Sequence, residues 1–245
     1  VTIKLVGRVS IANIGNNNIF ELTNDAHVSI IGDAPERFGN TGAVIKSNTE
    51  GSLFEVEESR LNLKNLSLLS TSPISTTAYQ IFVMEPSKLS IDNCIMYAEG
   101  SNSYNIYMKD TAMNGSVFSI RNSYLMQGGN AHSNIYLEPF GTGGSYDLKG
   151  EIQNTTFYLG DVEGFHIYSR SPNQGGIRLL MSNNVFYSPN EQTWMWSNQG
   201  VPKVFFDGIS DNVGSSRTLD GNILLTTSGV VSGGNPIGDP SVWIL

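Results

Sequence analysis

Apolar and polar residues alternate in short segments along the whole chain. In LNLKNLSLL (61–69), LSIDNCIMY (89–97) and FSIRNSYLM (118–126), apolar residues take alternate positions before a central asparagine. A period of two is typical of a β-strand with one buried face. No stretch of useful length keeps apolar residues at i, i+3, i+4 and i+7, and clusters of Gly, Asn, Ser and Pro separate the segments. The pattern therefore predicts short strands joined by turns rather than helices.

The central asparagine marks an internal repeat. An apolar residue stands two positions before it and another stands three positions after it, and glycine takes its place in the outermost repeats. The residues at this anchor position are Gly32, Asn65, Asn93, Asn122, Asn154, Asn183 and Gly221. Asparagine and glycine tolerate left-handed backbone angles, and the asparagine amide both donates and accepts hydrogen bonds. We therefore expect a bend here, with stacked bends joined by an amide ladder.

A second phrase, an aliphatic residue followed by an aromatic one, keeps step with the first. Successive aromatic residues lie 25 to 37 positions apart. They are Phe20, Phe54, Phe82, Tyr107, Tyr136, Tyr168 and Phe205. A period in this range indicates stacked units that cannot bury their apolar faces alone. We predict about seven strand-containing coils in one domain over residues 1–245, since the repeat crosses both halves without a linker.

Short strands in each coil, an asparagine at a bend and stacks of aliphatic and aromatic residues resemble the pectin-lyase-like superfamily. The resemblance covers nearly the whole chain and lies in its architecture. It implies an all-β fold, a right-handed, single-stranded parallel β-helix of about seven coils. The pectate lyases of this superfamily use an acidic calcium-binding cluster with a basic residue, and its polygalacturonases carry NTD, DD, GHG and RIK motifs. None of these motifs is found in the sequence, and the nearest fragment is Asp92 with Asn93.

Composition and charge narrow the range of partners. The chain has 26 glycines, 15% charged residues and a net charge of -8. Nucleic acids and anionic membranes require basic clusters, so we expect neither as a partner. No apolar stretch approaches the 18 residues of a membrane span. The sequence starts at Val1 without a signal peptide or initiator Met, and we expect a mature form or a fragment of a longer chain, located extracellularly or on a cell or virion surface.

Cofactor and metal chemistry find little support in the sequence. His27, His132 and His166 lie in separate repeats without metal-ligand spacing. The single cysteine, Cys94, is expected to be a small core residue. We expect no cofactor and no bound metal.

One column of the repeat offers candidate catalytic residues. Two positions after the aromatic residue, the side chain changes from apolar in the early coils to ionisable in the later ones. The residues are Leu22, Val56, Met84, Lys109, Glu138, Arg170 and Asp207. If register holds, the carboxylates of Glu138 and Asp207 lie about 9 to 10 Å apart, near the separation used by inverting glycosidases. Arg170 between them could hold a sugar carboxylate; alternatively, the charges only solvate the surface.

A second candidate site is the insertion SPNEQTWMWSNQGVP, residues 188–202. Trp194 and Trp196 are separated by one residue and can point to the same side of an extended segment. Such rings offer flat platforms for sugars. The alternative is that both tryptophans pack over the side or end of the solenoid.

These observations lead to three functional hypotheses. The first is a non-catalytic protein that recognises a polysaccharide or a cell-surface glycan, as an adhesin, a secreted passenger or a phage tail protein does. The second is a polysaccharide-degrading enzyme, an inverting glycoside hydrolase or a lyase, that uses Glu138, Asp207 and Arg170. The third is a structural spacer. A homotrimer with three copies side by side is one assembly that fits a tail protein.

Overall fold

In the residues that it describes, the computed structural model of the chain is all-β, apart from one short 3-10 helix at Thr111–Met113. It describes residues 1–11, 19–35, 42–48, 51–71, 77–100, 102–128, 133–138, 146–160, 164–169, 175–188, 193–198, 204–206 and 223–226. Strands in this part of the chain form three sheets, and neighbouring strands in each sheet run parallel.

Successive strands enter the three sheets in turn. Sheet A contains β1 (Thr2–Leu5), β4 (His27–Gly32), β7 (Arg60–Lys64), β10 (Lys88–Asp92), β13 (Val117–Arg121), β16 (Tyr146–Gln153), β19 (Gly175–Ser182) and β22 (Val204–Phe206). Sheet B contains β2 (Arg8–Ile11), β5 (Val44–Ser47), β8 (Ser67–Thr71), β11 (Ile95–Glu99), β14 (Tyr124–Gly128), β17 (Thr156–Leu159), β20 (Val185–Ser188) and β23 (Ile223–Thr226). Sheet C contains β3 (Phe20–Leu22), β6 (Gly51–Val56), β9 (Thr77–Val83), β12 (Asn102–Met108), β15 (Ser133–Leu137), β18 (Gly164–Ser169) and β21 (Thr193–Asn198). The predicted all-β parallel solenoid is confirmed, whereas its handedness and number of coils stay predictions.

The core is built from columns of aliphatic side chains that stack from coil to coil. The apolar residue two positions before each anchor forms one such column in sheet A. Its members are Ile30, Leu63, Ile91, Ile120, Ile152 and Met181, all nearly inaccessible to solvent. On the sheet B side, the rings of Phe157 and Phe186 stack with centroids 4.7 Å apart. Full burial of one such side chain contributes about 1.5 to 3 kcal/mol, so the period-two pattern is the main source of stability.

The predicted bend at the anchor asparagine is confirmed. All five anchor asparagines have left-handed backbone angles, with φ between 49° and 55°. The Asn93 amide donates to the Asn65 side chain at 2.8 Å, and the Asn154 amide donates to that of Asn122 at 3.3 Å. Between these pairs, the Asn122 amide donates to the carboxylate of Asp92 at 3.0 Å. That hydrogen bond, together with Lys64, lowers the pKa of Asp92. The predicted amide ladder is therefore present, and at one step the carboxylate of Asp92 accepts the hydrogen bond in place of an asparagine.

Glycine at the first anchor has a different role from the predicted one. Gly32 pairs with Leu5 in sheet A, and its φ lies outside the left-handed region. A Cβ atom at this position would lie 2.2 Å from the backbone oxygen of Asn65 and 2.4 Å from the Cβ atom of Ala43. The glycine is therefore required by a close approach between coils, not by backbone angles. Gly221 lies outside the described residues.

The aromatic residues of the second phrase do not form one column, contrary to the prediction. Phe54 pairs with Ile81 rather than with Phe82, and it is buried in the core. The cause is a bend in sheet C at which two consecutive residues face inward. Leu53 and Phe54 take both inward positions in β6, whereas Gln80 and Ile81 take them in β9. The aromatic residue of the phrase thus moves outward from β9 onward.

The last member of the phrase belongs to a different sheet. Phe205 pairs with Arg178 and Phe206 pairs with Leu179, so both phenylalanines lie in β22 of sheet A. In sheet C, the residue that pairs with Tyr168 is Ser197. The predicted insertion supplies this strand, because β21 lies within residues 188–202. The predicted register of the final coil is therefore wrong.

We expect the left-handed angle and the amide of Asn93 to contribute separately to stability. Asn93→Gly should cost about 1 kcal/mol, because it removes the side-chain hydrogen bond. Asn93→Ala should cost about 1 kcal/mol more, because a Cβ without a compensating amide disfavours the left-handed region. Chemical denaturation measures both values. Asn62→Ala, on the exposed face of β7, is the control and should change stability by less than about 1 kcal/mol. Equal effects of the Gly and Ala substitutions would contradict the backbone argument.

We expect the Cys94 thiol to be unreactive in the folded protein. Its side chain is buried, its Sγ lies 3.3 Å from the Asp92 carbonyl oxygen, and burial raises its pKa to about 12. Since thiol reagents require an accessible thiolate, DTNB at pH 8 should label Cys94 only after unfolding in guanidinium. Labelling of the native protein within minutes would show that the core is open at this anchor.

Candidate ligand-binding surface on sheet C

Aromatic side chains line the outer face of sheet C. Phe82, Tyr107 and Tyr136 pair with one another in β9, β12 and β15. The residues on either side of each ring are core residues with exposures of 0 to 1%. Because successive side chains of a strand point to opposite faces, the three rings lie on the outside. Tyr168 occupies the next register position in β18.

Two further tyrosines extend this surface into a compact cluster, which we call the aromatic patch. The patch consists of Tyr79, Phe82, Tyr104, Tyr107 and Tyr136. Its ring centroids lie 4.6 to 6.0 Å apart, from parallel stacking of Tyr107 on Tyr136 to an edge contact between Phe82 and Tyr107. Tyr104 is buried and the other four rings are half-buried, although none of the five belongs to the main core cluster. Mutual packing therefore holds the four half-buried rings in place at the surface.

A row of buried amides creates the bend that brings these rings together. Asn105 donates to the backbone oxygen of Met126 at 3.0 Å and to the side chain of Asn134 at 2.7 Å. Gln80 donates to the Leu68 oxygen at 3.0 Å. These amides tie the inner side of sheet C to the backbone of sheet B. The bend turns two residues inward in succession, and Tyr79 and Phe82 consequently pack on the same outer side, 5.0 Å apart.

Sequence reasoning missed this second amide row, although a signal was present. A polar residue precedes the isoleucine in QIFVM, NIYMK and NIYLE, at Gln80, Asn105 and Asn134. All three side chains are fully buried. A polar residue at a core position of a repeat indicates a hydrogen-bonded bend, because an unpaired buried amide is costly.

Glu138 adds a carboxylate to the rim of the aromatic patch. The Tyr107 hydroxyl donates to Oε2 of Glu138, and the Glu138 backbone amide donates to the Met108 oxygen at 2.8 Å. Burial and the hydrogen bond to Glu138 raise the pKa of Tyr107. Burial and the charge of Glu138 also raise the pKa of Tyr79, to about 12. Both phenols therefore remain neutral hydrogen-bond donors at ordinary pH.

The residues of the predicted column share one register position only in part, and the catalytic role of the column stays a prediction. The backbone amides of Met84, Lys109 and Glu138 donate to Val56, Val83 and Met108 of the preceding coils, so these three residues do share a column. Leu22 and Val56 do not belong to it. They are core residues: Leu22 pairs with Val56, and Val56 pairs with Val83, one position before Met84. Glu57 stands in the column instead. The predicted change from apolar to ionisable residues is thus partly a shift in register.

The predicted partners of Glu138 lie outside the described residues. Arg170 follows β18 and Asp207 follows β22, and their catalytic roles stay predictions. The predicted distance between Glu138 and Asp207 required Phe205 to lie in sheet C. Since Phe206 pairs with Leu179 in sheet A, that geometric argument no longer holds.

The two tryptophans lie in β21 of sheet C. Trp194 pairs with Phe165 and Trp196 pairs with Ile167. Ile167 continues the buried column of Ile106 and Ile135. Trp196 therefore occupies the register position of a core column, and the role of Trp194 and Trp196 as a sugar platform stays a prediction.

The described part of the chain contains neither a candidate metal site nor a membrane-spanning helix. Within it, no group of three or more His, Cys, Asp and Glu side chains could hold a metal ion. No helix in the same residues has the length and hydrophobicity needed to cross a bilayer.

The link between Glu138 and the phenols can be tested by titration. Glu138→Gln should lower the pKa of Tyr79 below about 12 while leaving it above 10, because burial is the larger cause of the shift. NMR of ¹³Cζ-labelled tyrosine from pH 8 upward measures this change as a larger ionised fraction of Tyr79 in Glu138→Gln than in the parent at the same alkaline pH. Glu99→Gln is the matched control: it should lower the raised pKa of Tyr97 and leave Tyr79 unaffected. If the pKa of Tyr79 in Glu138→Gln equals that in the parent, the Glu138 carboxylate does not act on the aromatic patch.

Known proteins give no further constraint on this site. No protein-family model, no curated protein and no solved structure matches the chain. The resemblance to the pectin-lyase-like superfamily accordingly stays a prediction, supported by the shared parallel solenoid architecture.

Proposed function

We propose that this protein is a non-catalytic glycan-binding solenoid, and that the aromatic patch with Glu138 is its binding site. The observation that carries the proposal is the convergence of four half-buried aromatic rings, packed on the buried ring of Tyr104, beside the carboxylate of Glu138 on a single sheet face. A solvent-facing cluster of this kind is unusual, because parallel sheets normally cover large apolar side chains.

The chemistry of the patch matches that of a sugar. The C–H faces of a pyranose ring pack against aromatic carbon, while its hydroxyl groups require directional hydrogen bonds. The patch supplies the Tyr79 hydroxyl as a donor. The oxygens of Tyr107 and Glu138, which are bonded to each other, supply acceptors. Tyrosine also contributes contact area at low conformational cost, and neighbouring rings already restrain these side chains. Binding therefore requires little further ordering of the protein.

Charge favours a neutral glycan over a polyanion. The protein has a net charge of -8, and Glu138 accepts a hydrogen bond within the patch. A uronate or sulfate group placed beside this carboxylate would be repelled. Lys109 stands in the same column as Glu138 and offsets part of this repulsion. An anionic glycan should therefore bind more weakly than a neutral one, but its binding is not abolished.

We also propose a location and a family for this protein. A solenoid that presents a glycan-binding face fits the extracellular space or the surface of a cell or virion. The right-handed, single-stranded β-helix of the pectin-lyase-like superfamily is the architecture we propose for it. The polysaccharide-degrading alternative has lost the carboxylate spacing on which it was based, and a structural spacer would leave the aromatic patch without a role.

The proposal is tested by glycan binding in variants of the patch. An array identifies a bound glycan, and titration with a soluble fragment of it avoids multivalent effects. The double variant Tyr107→Ala/Tyr136→Ala should bind at least about tenfold more weakly, since each stacked ring contributes about 1 kcal/mol. Tyr107→Phe keeps the ring and loses only the hydroxyl that holds Glu138, so it should show a smaller loss.

Two controls complete this experiment. Tyr124→Ala removes an exposed tyrosine from sheet B and should bind like the parent. Release of reducing or unsaturated ends, assayed in parallel, should be absent; turnover that is lost in Glu138→Gln would instead support the enzyme. Absence of any glycan binding, or undiminished binding by the double variant, would contradict the proposed site.

A further inference from the structure

Glu138 carries a half-buried carboxylate that has no cation in contact with it. The ion pairs in the described part of the chain all involve strands of sheet A, and none of them includes Glu138. Lys109 stands one coil earlier in the same column, but its ammonium group is not paired with Glu138. The segment PFGTGGS (139–145) that follows contains no lysine or arginine. Among the described residues, the charge of Glu138 therefore has no counter-charge beside it.

One oxygen of this carboxylate is available to a ligand. Oε2 of Glu138 accepts the hydrogen bond from the Tyr107 hydroxyl. Oε1 accepts no hydrogen bond from a described residue, and it is not one of the buried polar atoms that lack a partner in this part of the chain. Since Oε1 is neither bonded nor buried, it reaches the surface. A donor on a ligand can thus bind Oε1 without displacing Tyr107.

The rings beside Glu138 favour a positively charged donor. The plane of the Tyr107 ring is inclined by 49° to that of Tyr79 and by 73° to that of Phe82. Because the rings are not parallel, the aromatic patch presents ring faces as well as ring edges. The faces carry partial negative charge and attract a cation within about 6 Å of the ring centre. The carboxylate and the ring faces therefore attract the same kind of group.

A cation binds Oε1 better than a sugar hydroxyl does. A carboxylate that is half removed from water has lost part of its hydration, and an opposite charge compensates for that loss. A hydrogen bond between two charged groups is also shorter and stronger than one between neutral groups. The net charge of -8 attracts cationic ligands to the protein from a distance.

We infer that the glycan bound by the aromatic patch carries a primary ammonium group, as an amino sugar does, and that Oε1 of Glu138 binds it. This inference rests on the proposed function and specifies its ligand. A primary ammonium has three N–H donors for a carboxylate oxygen, whereas a quaternary ammonium has none. The order of affinity at the patch is then cationic, neutral and anionic glycan.

Titration calorimetry with two soluble probes of the same length and linkage tests the inference. The probes are a pentamer of glucosamine and a pentamer of N-acetylglucosamine. At about pH 6, amines are protonated and an ordinary carboxyl group is ionised. In 50 mM NaCl the parent should bind the glucosamine pentamer at least about tenfold more tightly, because acetylation removes the charge of the donor. In 0.5 M NaCl this difference should shrink, because salt screens the charges.

Two variants show whether Glu138 is responsible. Glu138→Gln keeps an acceptor for Tyr107 and loses the charge, so its affinities for the two pentamers should agree within about twofold. Its affinity for the N-acetylglucosamine pentamer should stay within about twofold of the parent value. Glu57→Gln is the matched control: it removes the same charge from a half-buried residue of the same column, three coils earlier. This control should keep the preference of the parent.

Four outcomes would overturn the ammonium site. They are equal affinity of the parent for the two pentamers, binding of neither pentamer, a preference that survives in Glu138→Gln, and a preference lost equally in Glu57→Gln. The proposed function is judged separately. It fails if no glycan on the array binds, or if Tyr107→Ala/Tyr136→Ala binds like the parent. Circular dichroism of Glu138→Gln verifies that the variant is folded.

Discussion

The register of the parallel strands is the constraint on which every other feature of this protein depends. A shift of one residue exchanges the inner and outer faces of a strand, and with them the core and the surface. The anchor asparagines hold the register between sheets A and B, because their left-handed angles place the bend at the same residue in each coil. The buried amides of Gln80, Asn105 and Asn134 do the same between sheets B and C. Two rows of amides thus decide which side chains are available for function.

The fold could be predicted because its signal is repeated. Alternation before the anchor identifies the inward residues of sheet A, and the spacing of the anchors identifies the coils. Left-handed angles at the asparagines follow from residue chemistry alone. The role of Gly32 could not be predicted, since it depends on Asn65 in the next coil and on Ala43 at the start of the following strand.

The candidate site was harder to predict, because segments that look alike in sequence take different registers in the sheets. Aligning them by sequence therefore assigns the wrong residues to the outer face. Leu53 with Phe54 and Ile135 with Tyr136 look alike as aliphatic and aromatic pairs, yet the first pair is buried while the second is split between core and surface. Phe205 fits the phrase as well, although it lies in sheet A. Glu138 was identified as a candidate from its charge, whereas its contact with Tyr107 required the folded geometry.

The three outer faces of the solenoid have distinct chemistry. Sheet A carries ion pairs that suit solvent, sheet B carries mostly uncharged side chains with Glu99 beside Tyr97, and sheet C carries aromatic rings beside a carboxylate. A purely structural rod would need only the first kind of face. The aromatic rings on sheet C are the physical reason for proposing a ligand for this protein.

The most direct test of the central claim is NMR of ¹³Cζ-labelled tyrosine during titration with a bound glycan. The chain contains 10 tyrosines, distributed over all three sheets. The account predicts shifts for Tyr79, Tyr104, Tyr107 and Tyr136, with the sheet B tyrosines unchanged. Shifts confined to Tyr97, Tyr124, Tyr158 and Tyr187 would place the glycan on sheet B and contradict the assignment of the aromatic patch.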